Sequence, residues 1–187
     1  MNVIFTDFDG VINTFNRNLR PIEPEDAVEK RVKLLAEICH RYDCKVVIES
    51  AHKEDIDPVT LETEIDWIKR LLDLFKKYDI EVIGTTPQVI NEKNKNTLCP
   101  IWKEDEILQY LEWHPEIDHY CVIDDDDLVT YPDRDAGDFS RSDLNKVRNH
   151  LIVPLIYSSE DWKKAGLQPE HVEEAGKILQ KSINKRI

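Results

Sequence analysis

Two aspartates separated by one residue, Asp7 and Asp9, follow the apolar run Val3, Ile4 and Phe5 and lead into Gly10. Two further β-prone runs also end in polar side chains. Cys44 to Ile48 runs into Glu49 and Ser50, and His119 to Ile123 runs into four consecutive aspartates, Asp124 to Asp127. Carboxylates in this number are hard oxygen donors that select magnesium, which typically takes one or two protein carboxylates and keeps several waters. A carboxylate can also act as a nucleophile or carry a proton. Each motif has a structural alternative: aspartate and glycine favour turns, serine often caps a helix, and acidic runs are commonly solvated, the description that suits Asp126 and Asp127. An EF-hand at the acidic run fails because glycine is missing at the required sixth position.

The elements that must carry these residues are strands of a parallel sheet. Val3, Ile4 and Phe5 suit a strand covered on both faces, and Gly10 permits a turn or a close backbone approach that a side chain would block. Arg17 to Glu25 reads as a loop, and Pro24, Glu25 and Asp26 suit a helix start. Val28, Val32, Leu35, Ile38 and Cys39 recur at helical spacing up to about Tyr42. After the strand Cys44 to Ile48, residues Ala51 to Thr60 are too polar and proline-broken to be regular, and a helix is predicted from about Leu61 to Tyr78. Ile80 to Ile83 is a third short strand, followed by a long loop from Gln88 to Pro100. A helix from about Lys103 to Trp113 precedes the strand His119 to Ile123. Val129 to Asp143 reads as loop, His150 to Val153 as a fifth strand, and Pro169 to Ser182 as a last helix. Alternating strands and helices predict an α/β chain: a three-layer, Rossmann-like fold with a mainly parallel five-stranded sheet flanked by helices. Ligands of such sheets bind outside the carboxyl ends of the strands, which brings Asp7, Asp9, Ser50, Asp124 and Asp125 to one edge.

The bounds set by composition agree. The chain has 187 residues, 41% hydrophobic and 34% charged, with a formal charge of −13, which suits a globular domain and opposes long-range attraction to nucleic-acid backbones or anionic membranes. An anionic substrate must therefore meet local positive charge, a metal or backbone N–H groups. No basic leader and no run of eighteen apolar residues is present, so a cytoplasmic protein is expected. Cys39, Cys44, Cys99 and Cys121 form no CxxC pair and are expected to be reduced. A zinc site at Cys39, His40 and Cys44 lacks a second ligand pair. Residues 1–187 read as one domain without internal repeats, and the short polar segments after the first two strands leave no room for a large cap.

The stretch Asp7, Phe8, Asp9, Gly10, Val11 resembles the first motif of the haloacid dehalogenase (HAD) superfamily, mostly magnesium-dependent phosphatases. VVIES with Ser50 is similar to its second motif, and CVIDD with Asp124 and Asp125 to its fourth. For the third, a lysine ahead of the fourth strand, Lys103 is the choice, with Lys93 and Lys95 as alternatives. The succession DFDGVIN, SAHK, GTTP, HPEIDHYCVIDDDD and GLQPEHVEEA looks like compact members predicted to act in nucleic-acid repair. It departs from them at Ala51, His52 and Lys53, where such members tend to have tryptophan followed by arginine. His52 and Lys53 themselves suit a solvated loop better than a substrate contact.

The resemblance implies that Asp7 attacks phosphorus to give an aspartyl-phosphate and that Asp9 protonates the leaving oxygen and later activates water. Ser50 and Lys103 would hold and neutralise the substrate phosphate, and Asp7, Asp9, Asp124 and Asp125 would form the magnesium site. A small-metabolite phosphatase, a non-catalytic phosphate-binding or regulatory module, and a receiver-like domain are the alternatives. The receiver reading wants its acceptor on a later central strand, and a degenerate binder has no need of Asp9. Arg17, Arg20, Lys53, Lys93, Lys95 and Lys103 could form a positive rim suited to a phosphate on a nucleotide or polynucleotide end. No membrane and no obligate protein partner is expected.

Overall fold

The computed structural model of the chain describes residues 1–13, 25–88, 103–126, 147–155 and 164–180. Five parallel strands, β1 (Asn2–Thr6), β2 (Cys44–Ile48), β3 (Val82–Thr85), β4 (His119–Ile123) and β5 (Leu151–Ile152), lie in the order β3-β2-β1-β4-β5. The chain winds outward from β1 through β2 to β3 and then crosses to β4 on the other side. The junction of β1 and β4 is thus where strand order reverses, the place at which ligands of open α/β sheets bind.

The central strands are buried on both faces, and their alternation sorts the core into two halves. Ile4, Val46, Ile48, Cys121 and Ile123 face α1 (Glu25–Tyr42), α2 (Asp66–Lys77) and α4 (Pro169–Leu179). Val3, Phe5, Val47, Tyr120 and Val122 face the opposite way, where α3 (Lys103–Trp113) supplies Ile107 and Tyr110. Phe5 meets the rings of Tyr110 and Tyr120 edge-on at 5.6 and 6.0 Å, a favoured aromatic geometry. Each such fully buried side chain contributes about 1.5–3 kcal/mol. The described residues form the predicted compact three-layer α/β fold.

Two helices end the same way. Asp43 after α1 and Asp79 close to the end of α2 adopt positive φ of 51° and 53°, a conformation that aspartate tolerates better than most residues, and each turns the chain into the following strand. The differences from the sequence expectations are local. α2 begins at Asp66 rather than near Leu61 because residues 57–62 close on themselves. Asp57 Oδ1 accepts the N–H groups of Val59 and Thr60 at 2.9 and 2.8 Å, and Leu61 takes a positive φ of 58°. β3 begins two residues later than expected: Ile80 N–H still bonds Phe75 C=O at 2.9 Å, so its apolar side chain closes α2 instead of starting the strand. β5 is confined to Leu151–Ile152, and α4 ends at Leu179. The stretch expected to be irregular opens with a 3₁₀ turn, Ala51–Asp55. The loops expected at Gln88 to Pro100 and Val129 to Asp143 fall largely or wholly outside the described residues. Cys39, Cys44 and Cys121 are buried and in no disulfide; Cys99 lies outside. No helix among the described residues is long and apolar enough to cross a membrane.

Candidate active site

The parallel ladder continues one residue past each strand. Asp7 N–H bonds Ile123 C=O at 3.0 Å, Glu49 N–H bonds Thr6 C=O at 2.9 Å, Thr86 N–H bonds Ile48 C=O at 3.0 Å, and Asp124 N–H bonds Ile152 C=O at 3.1 Å. Thr86, Glu49, Asp7 and Asp124 therefore form a row across the carboxyl edge of four adjacent strands, and all four are buried.

Asp7 lies at the β1/β4 junction. Its Oδ1 accepts the Phe8 N–H at 2.6 Å, and its Oδ2 accepts from Lys103 Nζ. The same ammonium donates to Asp124 Oδ2 at 2.7 Å and lies 3.8 Å from Glu49 Oε2. Lys103 is the first residue of α3, so a helix packed on this face of the sheet delivers the cation. Burial works against the charge on Lys103, but the carboxylates of Asp124, Asp7 and Glu49 outweigh it and move its pKa upward. Burial pushes Asp124 up to about 7, with Lys103 opposing and Asp7 reinforcing the shift. Asp125 also moves up, through burial and then the charge of Asp7.

Oxygens of Asp7, Asp124 and Asp125 lie within 4.8 Å of one another. Three carboxylates face one ammonium, two of them held above the ordinary carboxylate range, and the donors are all hard oxygens. This set fits a divalent cation of the magnesium type, whose charge would offset the surplus. Gly10 makes the approach of Asp125 possible: it has a φ of 74°, and a Cβ there would lie 2.1 Å from Asp125 Cγ.

The other residues singled out from the sequence lie beside this group. Asp9, expected among the metal ligands, has its carboxylate outside the triad of oxygens; its Oδ2 is 3.1 Å from His52 Nε2. Burial raises its pKa and the His52 hydrogen bond pulls the other way. Ser50 is buried and caps the 3₁₀ turn, its Oγ accepting the His52 N–H at 3.3 Å. That bond uses a lone pair and leaves the hydroxyl proton available to a phosphoryl oxygen. Arg17, Arg20, Lys93 and Lys95 lie outside the described residues.

Sequence reasoning passed over a second charged group beside the first. Lys53 is buried, donating to Glu49 Oε1 at 3.3 Å, to Thr86 Oγ1 at 3.0 Å and to Glu106 Oε2, so it is no solvated loop residue. Burial drives the carboxyl group of Glu49 well above its ordinary range. Position at a strand end could have pointed to Glu49 and Thr86. Glu106 carried no signal, since an acid in the first turn of a helix ordinarily faces water.

The model of one family, the HAD domain in Swiss Army Knife RNA repair proteins, matches residues 3–153. No curated protein and no solved structure matches the chain. The match runs from β1 past β5 and takes in Asp7, Asp9, Ser50, Lys103, Asp124 and Asp125, which supports a phosphatase-like function of the HAD type. The chain belongs to the family of HAD domains found in Swiss Army Knife RNA repair proteins.

Proposed function

We propose that the chain, read as a single domain over residues 1–187, is a magnesium-dependent phosphomonoesterase working through an aspartyl-phosphate on Asp7. Its proposed substrate is the terminal phosphate of a nucleotide or a nucleic-acid end. The observation that carries this reading is the separation of two carboxylates two residues apart. Asp7 is fixed by the Phe8 N–H and Lys103 beside Asp124 and Asp125, while Asp9 is held away from that cluster on His52.

In the first step an Asp7 oxygen attacks phosphorus, the bond from phosphorus to the ester oxygen breaks, and Asp9 gives its proton to that departing oxygen. In the second, Asp9 takes a proton from water, the water oxygen attacks phosphorus, and the bond to Asp7 breaks, releasing phosphate and leaving Asp7 a carboxylate and Asp9 protonated, as at the start. Burial moves the Asp9 carboxyl group upward against the pull of His52, a shift in the direction an acid needs, and such acid–base assistance contributes roughly a hundred- to ten-thousand-fold. Lys103 balances the carboxylates while an anion enters, and the Ser50 hydroxyl donates to a phosphoryl oxygen. Magnesium held by Asp7, Asp124 and Asp125 would supply the charge that neutralises the phosphoryl oxygens.

The nucleic-acid part of the reading is supported by the family description, RNA repair, and by the repulsion a charge of −13 exerts on long backbones, which favours an end over a duplex. Competition among 3′- and 5′-phosphorylated oligonucleotides, mononucleotides and sugar phosphates at several salt concentrations tests it. An oligonucleotide end should win, and its advantage should shrink as salt rises. Preference for sugar phosphates without salt dependence overturns the nucleic-acid reading. Phosphatase activity that survives thorough chelation overturns the metal.

A further inference from the structure

His52 stands in a stretch whose polarity reads as a solvated loop, yet its ring is held on several sides. Nε2 is 3.1 Å from Asp9 Oδ2, Nδ1 faces Asp55 Oδ2 at 3.8 Å, and the ring meets Trp67 edge-on at 4.8 Å. Its own N–H is bound by Ser50 Oγ. Trp67 also packs edge-on against Phe8 at 6.1 Å, so one indole braces both His52 and the residue that separates the two aspartates. The carboxylate of Asp9 is unequally placed. Its Oδ1 is enclosed with no hydrogen-bond partner, whereas the side chain as a whole is 42% exposed. Oδ2 is therefore the oxygen within reach of a leaving group or a water, and it is the oxygen His52 holds. A carboxylate oxygen accepts two hydrogen bonds, so the contact with Nε2 fixes Oδ2 without blocking it.

We propose, on the basis of the phosphatase reading above, that His52 is a positioning residue for Asp9: its Nε2–H aims Oδ2 at the leaving oxygen and keeps the carboxylate out of the Asp7, Asp124 and Asp125 cluster. Without that contact Asn13 is the neighbour left to hold the Asp9 side chain, and Oδ2 is no longer aimed at the leaving oxygen. A displacement of about 1 Å in such a group costs on the order of a hundredfold. The loss belongs to proton transfer, so it scales with how much the leaving oxygen needs a proton. His52 touches neither phosphorus nor ester oxygen in this account and acts through Asp9 alone.

The test compares kcat and KM of the wild-type chain with those of His52→Ala, His52→Gln and His52→Asn. The substrates are 4-nitrophenyl phosphate, whose leaving group departs as an anion, and an alkyl phosphate, whose leaving oxygen must be protonated. His52→Ala should lower kcat on the alkyl ester by about 10- to 100-fold. On the nitrophenyl ester it should lower kcat by less than about threefold, with KM and the magnesium requirement nearly unchanged. Glutamine places an amide N–H near the position of Nε2 and should restore most of the loss; asparagine is too short and should not. Because the glutamine and asparagine variants differ by one methylene, their contrast decides the matter even if the alanine variant fails to fold. Equal losses on both esters, equal behaviour of glutamine and asparagine, or a raised magnesium requirement with kcat intact would each overturn the role of His52. A wild-type chain inactive on every ester overturns the phosphatase reading itself, and the His52 role with it.

Discussion

Two lysines lie one carboxylate apart and do different work. Lys103 is 24% exposed and faces Asp7 and Asp124; Lys53 is 8% exposed and is enclosed by Glu49, Glu106 and Thr86. Glu49 stands between them, 3.3 Å from one ammonium and 3.8 Å from the other. Around Lys53 the charges close: burial holds Glu49 toward its neutral form, so Glu106 is the counterion that remains. Around Lys103 they do not, because Asp7, Asp124 and Asp125 outnumber one ammonium. A charge cluster that balances internally serves the fold, whereas one left with a surplus of carboxylate oxygens fits a cation of the magnesium type.

The largest effect expected is on turnover, from the unbalanced cluster. Asp7→Asn is nearly isosteric and should lower kcat by at least about a thousandfold, equivalent to about 4 kcal/mol of barrier, while urea unfolding shifts by less than about 1 kcal/mol. Lys103→Met should likewise reduce turnover far more than stability. A folded Asp7→Asn chain that retains substantial activity removes Asp7 from the nucleophile's role.

The balanced cluster should respond in the opposite sense. Lys53→Met leaves Glu106 buried without its cation, and breaking a buried pair in this way costs about 3–5 kcal/mol. Glu49→Gln should be nearly silent in urea unfolding, within about 1 kcal/mol, because the amide mimics a carboxyl group already held toward neutrality. If Glu49→Gln destabilises as much as Lys53→Met, Glu49 is ionised and the two clusters do not differ in their charge balance.

Metal removal sharpens the comparison further. Asp124→Ala or Asp125→Ala should raise the magnesium concentration for half-maximal activity by at least the roughly 10- to 100-fold that follows loss of an outer-sphere partner, and magnesium should raise the melting temperature of the wild-type chain but not of these variants. A melting temperature indifferent to magnesium in the wild type would argue that the surplus charge is not a cation site.

The smallest effect comes from a buried thiol away from both clusters. Burial, with a smaller contribution from Cys44, pushes the Cys39 thiol up to about 12. The unfolded thiol ionises near 8.5, about 1.4 kcal/mol per pH unit of difference. The folded state holds the proton more tightly, so stability is intact below about pH 8.5 and falls as pH rises from there toward 12. Cys39→Ser or Cys39→Ala should flatten this alkaline decline slightly in urea titrations from pH 8 to 10, and a slope unchanged by the substitution would count against it.

Much of the frame was legible in the sequence because uninterrupted apolar runs leave little choice. β2, β4 and α3 lie where Cys44 to Ile48, His119 to Ile123 and Lys103 to Trp113 were read. The start of α2 was not legible, because the loop that delays it depends on Asp57 side-chain bonds to the backbone, and helical spacing carries no trace of those. Strand ends pointed to Asp7, Asp9, Ser50 and Asp124, since a parallel sheet collects them at one edge. The contacts of Lys53 and His52 were hidden for one physical reason. Both sit in a polar segment, and the partners that bury or hold them lie 53 and 43 residues away in the chain.

The place of α3 on the second face of the sheet has a mechanical meaning. α3 covers Phe5, Val47, Tyr120 and Val122, begins with Lys103 and carries Glu106 one turn along. Lifting it from the sheet would withdraw the cation from Asp7, strip Lys53 of its counterion and wet the smaller half of the core in one motion. The candidate site thus shares its fate with one cooperative opening unit. Amide exchange along α3 and survival of activity on heating should report the same event.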